Sequence, residues 1–99
     1  MTPIEFHPEA YAEFAAAVEY YESQQTGLGS RFLEAVADAV QRIQVTPLMY
    51  QVVEGDFRKC RVLRFPYGII FRVSYDSIYI IAVMNLRRKP GYWRQRELT

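Results

Sequence analysis

The sequence predicts an α+β fold: a two-layer sandwich in which an N-terminal strand and an antiparallel helical hairpin accompany an antiparallel sheet of about four strands. Three observations predict it. Apolar residues recur at helical spacing in two stretches before residue 46. The apolar period shortens toward two after Pro47. The connections between these stretches are short, as in a compact unit. With 99 residues the chain is expected to form a single domain over 1–99, with a modest core that a partner could help to stabilise.

Ile4 to Phe6 is a short apolar start, suited to an edge strand. His7-Pro8 then opens a helix, with Pro8 in the first turn, where a missing N–H costs nothing. Tyr11, Phe14, Ala15, Val18 and Tyr21 follow as one apolar stripe, and Glu9, Glu13, Glu19 and Glu22 are expected on other faces, mostly toward solvent. Gln24 to Gly29 reads as a tight turn. A second helix runs from about Leu28 or Ser30 to Val45, with the stripe Phe32, Val36, Ala39 and Ile43, and Thr46-Pro47 stops it. After Pro47, Tyr50 to Val53 is extended and Gly55-Asp56 is a turn. Phe57 to Phe65 alternates Arg58, Lys59, Arg61 and Arg64 with Cys60, Val62, Leu63 and Phe65. Pro66-Tyr67-Gly68 breaks or bulges that strand. Ile69 to Tyr75 is the next strand, Asp76-Ser77 a two-residue hairpin break, and Ile78 to Met84 a nearly all-apolar strand, expected to be central and covered on both faces. Pro90-Gly91-Tyr92-Trp93 leaves the sheet, and a short turn or helical stub ends the chain.

Half of the residues are hydrophobic, which excludes disorder. Arg and Lys interrupt every apolar run before it reaches the roughly 18 residues of a membrane span, and the N-terminus lacks a basic segment followed by an apolar stretch, so no signal peptide is expected. Cys60, the one cysteine, cannot pair within the chain and fits a reducing cytoplasm; it reads better as a small apolar strand residue than as a nucleophile. The net charge of +1 conceals a split. Residues 1–56 hold two basic and nine acidic side chains, a net −7, whereas residues 57–99 hold ten basic and two acidic, a net +8. Such polarisation bears on partners: the C-terminal half suits a nucleic acid, an acidic protein, or both in turn. The alternative is that strand arginines merely balance an acidic helix face.

Glycine-rich phosphate loops and zinc-spaced Cys/His clusters are absent from the sequence, so no cofactor or metal is expected. His7, the only histidine, suits helix entry better than catalysis, and the carboxylates are not paired for hydrolysis. Arginine, lysine and tyrosine remain. The densest group, Arg87-Arg88-Lys89-Pro90-Gly91-Tyr92-Trp93-Arg94-Gln95-Arg96, follows the expected central strand, so Arg87 and Arg88 should project from its end. Guanidinium binds phosphate with a two-pronged fork and keeps its charge; Tyr92 and Trp93 could stack on bases or pack the C-terminal stub onto the sheet.

Three motifs, taken in order, resemble the RelE/ParE superfamily of bacterial toxins over almost the whole chain: His7-Pro8-Glu9-Ala10 opening the first helix, Gly27-Leu28-Gly29-Ser30-Arg31-Phe32-Leu33-Glu34-Ala35 opening the second, and Phe65-Pro66-Tyr67-Gly68-Ile69-Ile70-Phe71 followed by an apolar strand and Arg87-Arg88-Lys89-Pro90-Gly91-Tyr92-Trp93. The resemblance implies the toxin of a plasmid-stabilisation-type type II toxin–antitoxin pair, cytoplasmic, silenced by a co-encoded antitoxin in a hetero-oligomer. It leaves two activities open. RelE-like members are ribosome-dependent, metal-independent mRNA endoribonucleases; here Arg61 or Arg64 with Arg87 or Arg88 would hold the phosphate, and Tyr92 would assist proton transfer. ParE-like members poison DNA gyrase and need no catalytic set. Gly68 stands where RelE-like nucleases commonly place a basic residue, and the Phe-Pro-Tyr break and Pro-Gly-Tyr-Trp tail look closer to the ParE side, so gyrase inhibition is favoured. A third possibility is a non-toxic module that binds only antitoxin and DNA. In each case Arg58, Arg61, Arg64, Arg87, Arg88, Tyr92 and Trp93 are the expected target- or antitoxin-binding residues.

Overall fold

In the computed structural model, which describes residues 2–98, the chain runs β1 (Ile4–Phe6), α1 (Pro8–Gln24), α2 (Leu28–Val45), a 3-10 turn (Pro47–Met49), β2 (Val52–Glu54), β3 (Phe57–Arg61), β4 (Tyr67–Val73), β5 (Ile78–Asn85) and a C-terminal 3-10 segment (Tyr92–Leu98). The strands form one sheet in the order β1-β5-β4-β3-β2. It holds five strands and is mixed, not the four antiparallel strands expected, because β1 pairs parallel to β5, with Ile4 opposite Ile78 and Phe6 opposite Ile80. The remaining pairs are antiparallel.

Local chemistry explains the helical hairpin. His7 caps α1, its Nδ1 accepting from the Glu9 amide at 3.0 Å, and Pro8 fills the first turn. Gly27 takes φ +89° before α2, and the Glu22 carboxylate supplies the cap that this glycine lacks, accepting from the Gly27 amide and, at 3.0 Å, from the Gly29 amide. Gly29 lies where the helices touch: a Cβ there would sit 2.7 Å from the Val18 carbonyl oxygen. The stripe Phe32, Val36, Ala39 and Ile43 is buried throughout, as its spacing implies. The α1 stripe is displaced from the expected one. Ala10 and Ala17 are its buried positions, while Tyr11 is 56% exposed and Ala15 lies outside.

The two faces of the sheet bury different cores. Cys60, Val62, Ile69, Phe71, Ile78, Ile80 and Val83 pack under the helices. Phe57, Ile70, Ile81, Ala82 and Met84 lie on the opposite face with Trp93. Hence β5 is covered on both sides, as its continuous apolar run requires, although β4 holds the middle place in the strand order. The β4–β5 register slips between Ile70 and Phe71, leaving Ile81 as an extra residue, so that Ile80 faces the helices and Ile81 the other core. Strand boundaries differ from expectation in three places, the first being that β4 opens at Tyr67, within the expected Pro66-Tyr67-Gly68 break, because Tyr67 and Gly68 pair with Asn85 and Met84 of β5. β3 stops at Arg61 because Leu63, Arg64 and Phe65 turn, with Arg64 at φ +73°. The β4–β5 hairpin loop is four residues, closed by the Ser74 amide to the Ser77 carbonyl at 2.8 Å, not two.

Candidate functional site

The register places the end of β3, the start of β4 and the end of β5 side by side: Arg61 faces Gly68, Gly68 faces Met84, and Tyr67 faces Asn85. Arg61, the Arg64 turn and the Arg87-Arg88 pair after β5 therefore share one end of the sheet. The α1–α2 connection reaches the same end and brings Arg31. The β3–β4 turn is anchored by aromatic packing. The Phe65 ring lies 5.0 Å from Tyr21 and 5.1 Å from Phe32, and Tyr67 lies 4.9 Å from Phe32. Edge-to-face pairs of this kind contribute about 0.5–1.5 kcal/mol each beyond their buried area. The Leu86 amide donates to the Pro66 carbonyl at 2.8 Å, tying the start of the Arg87 turn to the same point. Arg64 and Arg31 border an open groove of about 560 Å³, with Leu28, Leu63 and Phe65 along it and Glu34 and Asp38 on its α2 wall.

Arginines of this molecule fall into two sets. In the first, Arg42 pairs with Asp38, Arg72 with Glu97, Arg94 with Glu54, and Arg88 and Arg96 with Glu13. Arg58 belongs with them: it donates to the Leu48 and Tyr50 carbonyls and holds the loop before β2. In the second set, the side chains of Arg31, Arg61, Arg64 and Arg87 are exposed and make no ion pair or hydrogen bond among the described residues. The charge split of the sequence thus resolves into internal neutralisation for one set and a cationic end for the other.

Glu13 anchors the C-terminal segment. β1 reaches only to Ile80, leaving the β5 edge beyond it without a strand partner. There Glu13 accepts from the Val83 amide at 3.1 Å, and Arg96 donates to the Ile81 carbonyl at 3.0 Å. The two side chains also pair with each other, at 2.7 Å from Arg96 Nη1 to Glu13 Oε1, with side-chain exposures of 10% and 15%. Tyr92 donates its hydroxyl to Glu13, and Arg88 lies 3.6 Å above the Tyr92 ring while pairing with Glu13 at 3.2 Å. Burial, then the hydrogen bond to Glu13 and its charge, push the Tyr92 hydroxyl far above its ordinary value. Trp93 is 3% exposed against Phe57, Ile70 and Met84. Arg94, paired with Glu54 on β2, fixes the start of the same segment.

Of the residues singled out in the sequence, Arg61, Arg64 and Arg87 stand at the same end of the sheet with free guanidinium groups, Arg64 on the α2 side beside Arg31 and Arg61 leaving β3 on the face away from the helices, with Lys59 and Gly68. Arg88 shares their end but is engaged by Glu13. Arg58 lies three residues back along β3, roughly 10 Å away by strand rise. Tyr92 is half-buried with its hydroxyl engaged, and Trp93 is in the core. Cys60 is fully buried, and burial raises its thiol pKa. Sequence reasoning missed two residues. Arg31 joins the cationic end only through the helical hairpin, and Glu13 faces inward. The signal for Glu13 was its place between Ala10 and Ala17, three and four residues away on the same helix face, where small neighbours make room for a carboxylate over the sheet. Among the described residues no group of His, Cys, Asp and Glu could hold a metal ion, and no helix is long and apolar enough to cross a membrane.

A helical hairpin over a five-stranded mixed sheet, with a cation-rich end, defines a small α+β domain of RelE/ParE type. A solved structure described as the chromosomal ParDE TA system from P. aeruginosa shares the fold, with a TM-score of 0.73 at 17% identity over 88% of this chain and 98% of that one. The family model described as the ParE toxin of type II toxin-antitoxin system, parDE, matches residues 4–90. No curated protein sequence matches significantly. The chain belongs to the ParE toxin family.

Proposed function

We propose that this type II toxin acts in the cytoplasm by inhibiting DNA gyrase and is silenced by a cognate antitoxin in a hetero-oligomer. The observation that carries the choice of target is Tyr92. Hydrolysis or transfer at a phosphodiester needs a proton-transfer group beside the phosphate-binding cations. The tyrosine nearest to Arg88 is half-buried, hydrogen-bonded to Glu13 and shifted far toward its neutral form. It serves the packing of the C-terminal segment, and Gly68 adds no charge where a nuclease would use one. Binding a target without chemistry asks only for a preformed surface, which Arg31, Arg61, Arg64 and Arg87 supply. Acidic side chains of the antitoxin, laid across this end with Arg88 at its border, would neutralise it.

Expression of the chain alone from a repressible promoter tests the proposal, with mRNA ends mapped in the same cells and purified gyrase assayed for trapped cleavage complexes. Gyrase trapping with intact mRNA is expected. New mRNA ends inside codons would instead establish the nuclease activity, and a harmless chain that still binds its antitoxin would establish the non-toxic module.

A further inference from the structure

We infer that the end carrying Arg31, Arg61, Arg64 and Arg87 is a binding site for the sugar–phosphate backbone of duplex DNA, read without regard to sequence. The inference goes beyond the gyrase reading, since it needs no particular protein target. Its basis is the separation of the two arginine sets. Arg42, Arg72, Arg88, Arg94 and Arg96 each have a carboxylate of their own chain. The four at the β3–β4 end have none among the described residues, although Glu34 and Asp38 stand on the wall of the same groove. Four cations against Glu34 and an Asp38 already paired with Arg42 leave an excess of positive charge, and a polyanion that neutralises it gains by releasing its condensed counterions. Guanidinium is the side chain best fitted to phosphate oxygens.

The surrounding chemistry selects the kind of nucleic acid. Single strands are held by exposed rings on which bases stack. Here the rings nearest the cations, Tyr21, Phe32, Phe65 and Tyr67, pack against one another, and Trp93 is buried. Tyr20 is exposed on the α1 flank, but its one ring neighbour, Tyr21 at 5.3 Å, meets it edge to face and is itself packed on Phe32 and Phe65, so the two offer no parallel platform for successive bases. Cations without a stacking surface engage the backbone alone, and the duplex offers the higher density of phosphates. Arg64, held at φ +73°, projects from the turn between the two strands, and Arg61 and Arg87 flank it from β3 and from the end of β5.

The test is fluorescence anisotropy of a labelled duplex of about 20 base pairs with the purified full chain, titrated between 50 and 200 mM salt. Four neutralised phosphates, at about 0.9 per contact, give a log–log salt slope of about −3.6, so affinity should fall roughly 150-fold over that range. The double substitution Arg64→Gln/Arg87→Gln should halve the slope, to a fall of about 12-fold. Arg94→Gln, which removes an arginine already tied to Glu54, should leave the slope unchanged. If the first double variant melts early, Arg31→Gln/Arg61→Gln on the other flank carries the same expectation. Absence of duplex binding at 50 mM salt, an unaltered slope in both double variants, or tighter binding of a single strand of equal length would each overturn the inference. Duplex binding without gyrase trapping would leave it standing and remove the gyrase reading; trapping without duplex binding would do the reverse.

Discussion

Replacing Glu13 with alanine probes the anchoring of the C-terminal segment most directly. The carboxylate takes donors from Val83, Arg88, Tyr92 and Arg96. The pair with Arg88 adds little, because the Arg88 side chain is 53% exposed and surface pairs of that kind contribute about 0–1 kcal/mol. The pair with Arg96 is different, at exposures of 10% and 15%. Removing one partner of a buried pair costs about 3–5 kcal/mol, since the other charge is left uncompensated. Other contacts soften the loss: Arg96 keeps the Ile81 carbonyl, Glu9 lies 3.7 Å from its Nε, and the Tyr92 ring lies 5.1 Å from its guanidinium carbon. The lower end of the range, about 3 kcal/mol, is therefore expected, which for a domain of this size lowers Tm by roughly 15 °C. Thermal unfolding followed by circular dichroism measures the loss, and a cycle with Arg96→Ala should give a coupling of about 2 kcal/mol. Hydrogen exchange at the Val83 amide should accelerate selectively. A loss under about 1 kcal/mol with coupling below about 0.5 kcal/mol would show that the pair behaves as a surface contact and that Trp93 and the other tail contacts hold the segment without it.

Other expectations are narrower. Gly29→Ala places a Cβ 2.7 Å from the Val18 carbonyl and 2.9 Å from the Glu22 Cβ, so the helices must part, and a urea titration should show about 1–3 kcal/mol of destabilisation; an unchanged midpoint would mean that the hairpin yields freely. The raised pKa of Tyr92, caused first by burial, stabilises the fold fully below its ordinary value of 10.0 and is lost as pH climbs through the higher folded value. Tyr92→Phe should therefore lose stability less steeply between pH 9 and 12 than the parent, by roughly the share of one tyrosine; parallel curves would refute the assignment. Cys60, fully buried with a raised pKa, should react with a thiol reagent about a hundredfold more slowly in the native protein than in guanidinium, and equal rates would show that the strand opens freely.

Much of this fold is legible because a single period governs each element. The α2 stripe, the helix entry at His7-Pro8 and the doubly covered β5 all follow from spacing, and each occupies its expected place. The failures share a cause: they depend on partners remote in sequence. Nothing in three residues of β1 encodes parallel pairing to a strand more than seventy positions away. Tyr11 fits the α1 stripe by period yet remains mostly exposed, because the helix turns its Ala10 and Ala17 side to β5 for close approach. The alternation of basic and apolar residues from Phe57 to Phe65 reads as one strand, but a left-handed Arg64 ends it, and a positive φ at a non-glycine residue leaves little trace in composition.

The cationic site was half legible for a related reason. Density along the chain identifies where arginines accumulate, not which of them have carboxylates opposite. From residue 87 onward the sequence shows four arginines in ten positions, and the fold ties three of them, Arg88, Arg94 and Arg96, to Glu13 and Glu54. A tied guanidinium gives up an existing partner before it can take a new anion, so its contribution to recognition is reduced by what it loses. The free set carries no such cost, and it comprises one arginine each from α2, the end of β3, the β3–β4 turn and the segment after β5. Surface charge that a chain leaves uncompensated at one end works against its own folding through self-repulsion. Any anion that binds there would relieve the repulsion and favour the folded state, whereas the arginines paired with Glu13 and Glu54 already have their counter-charges within the chain.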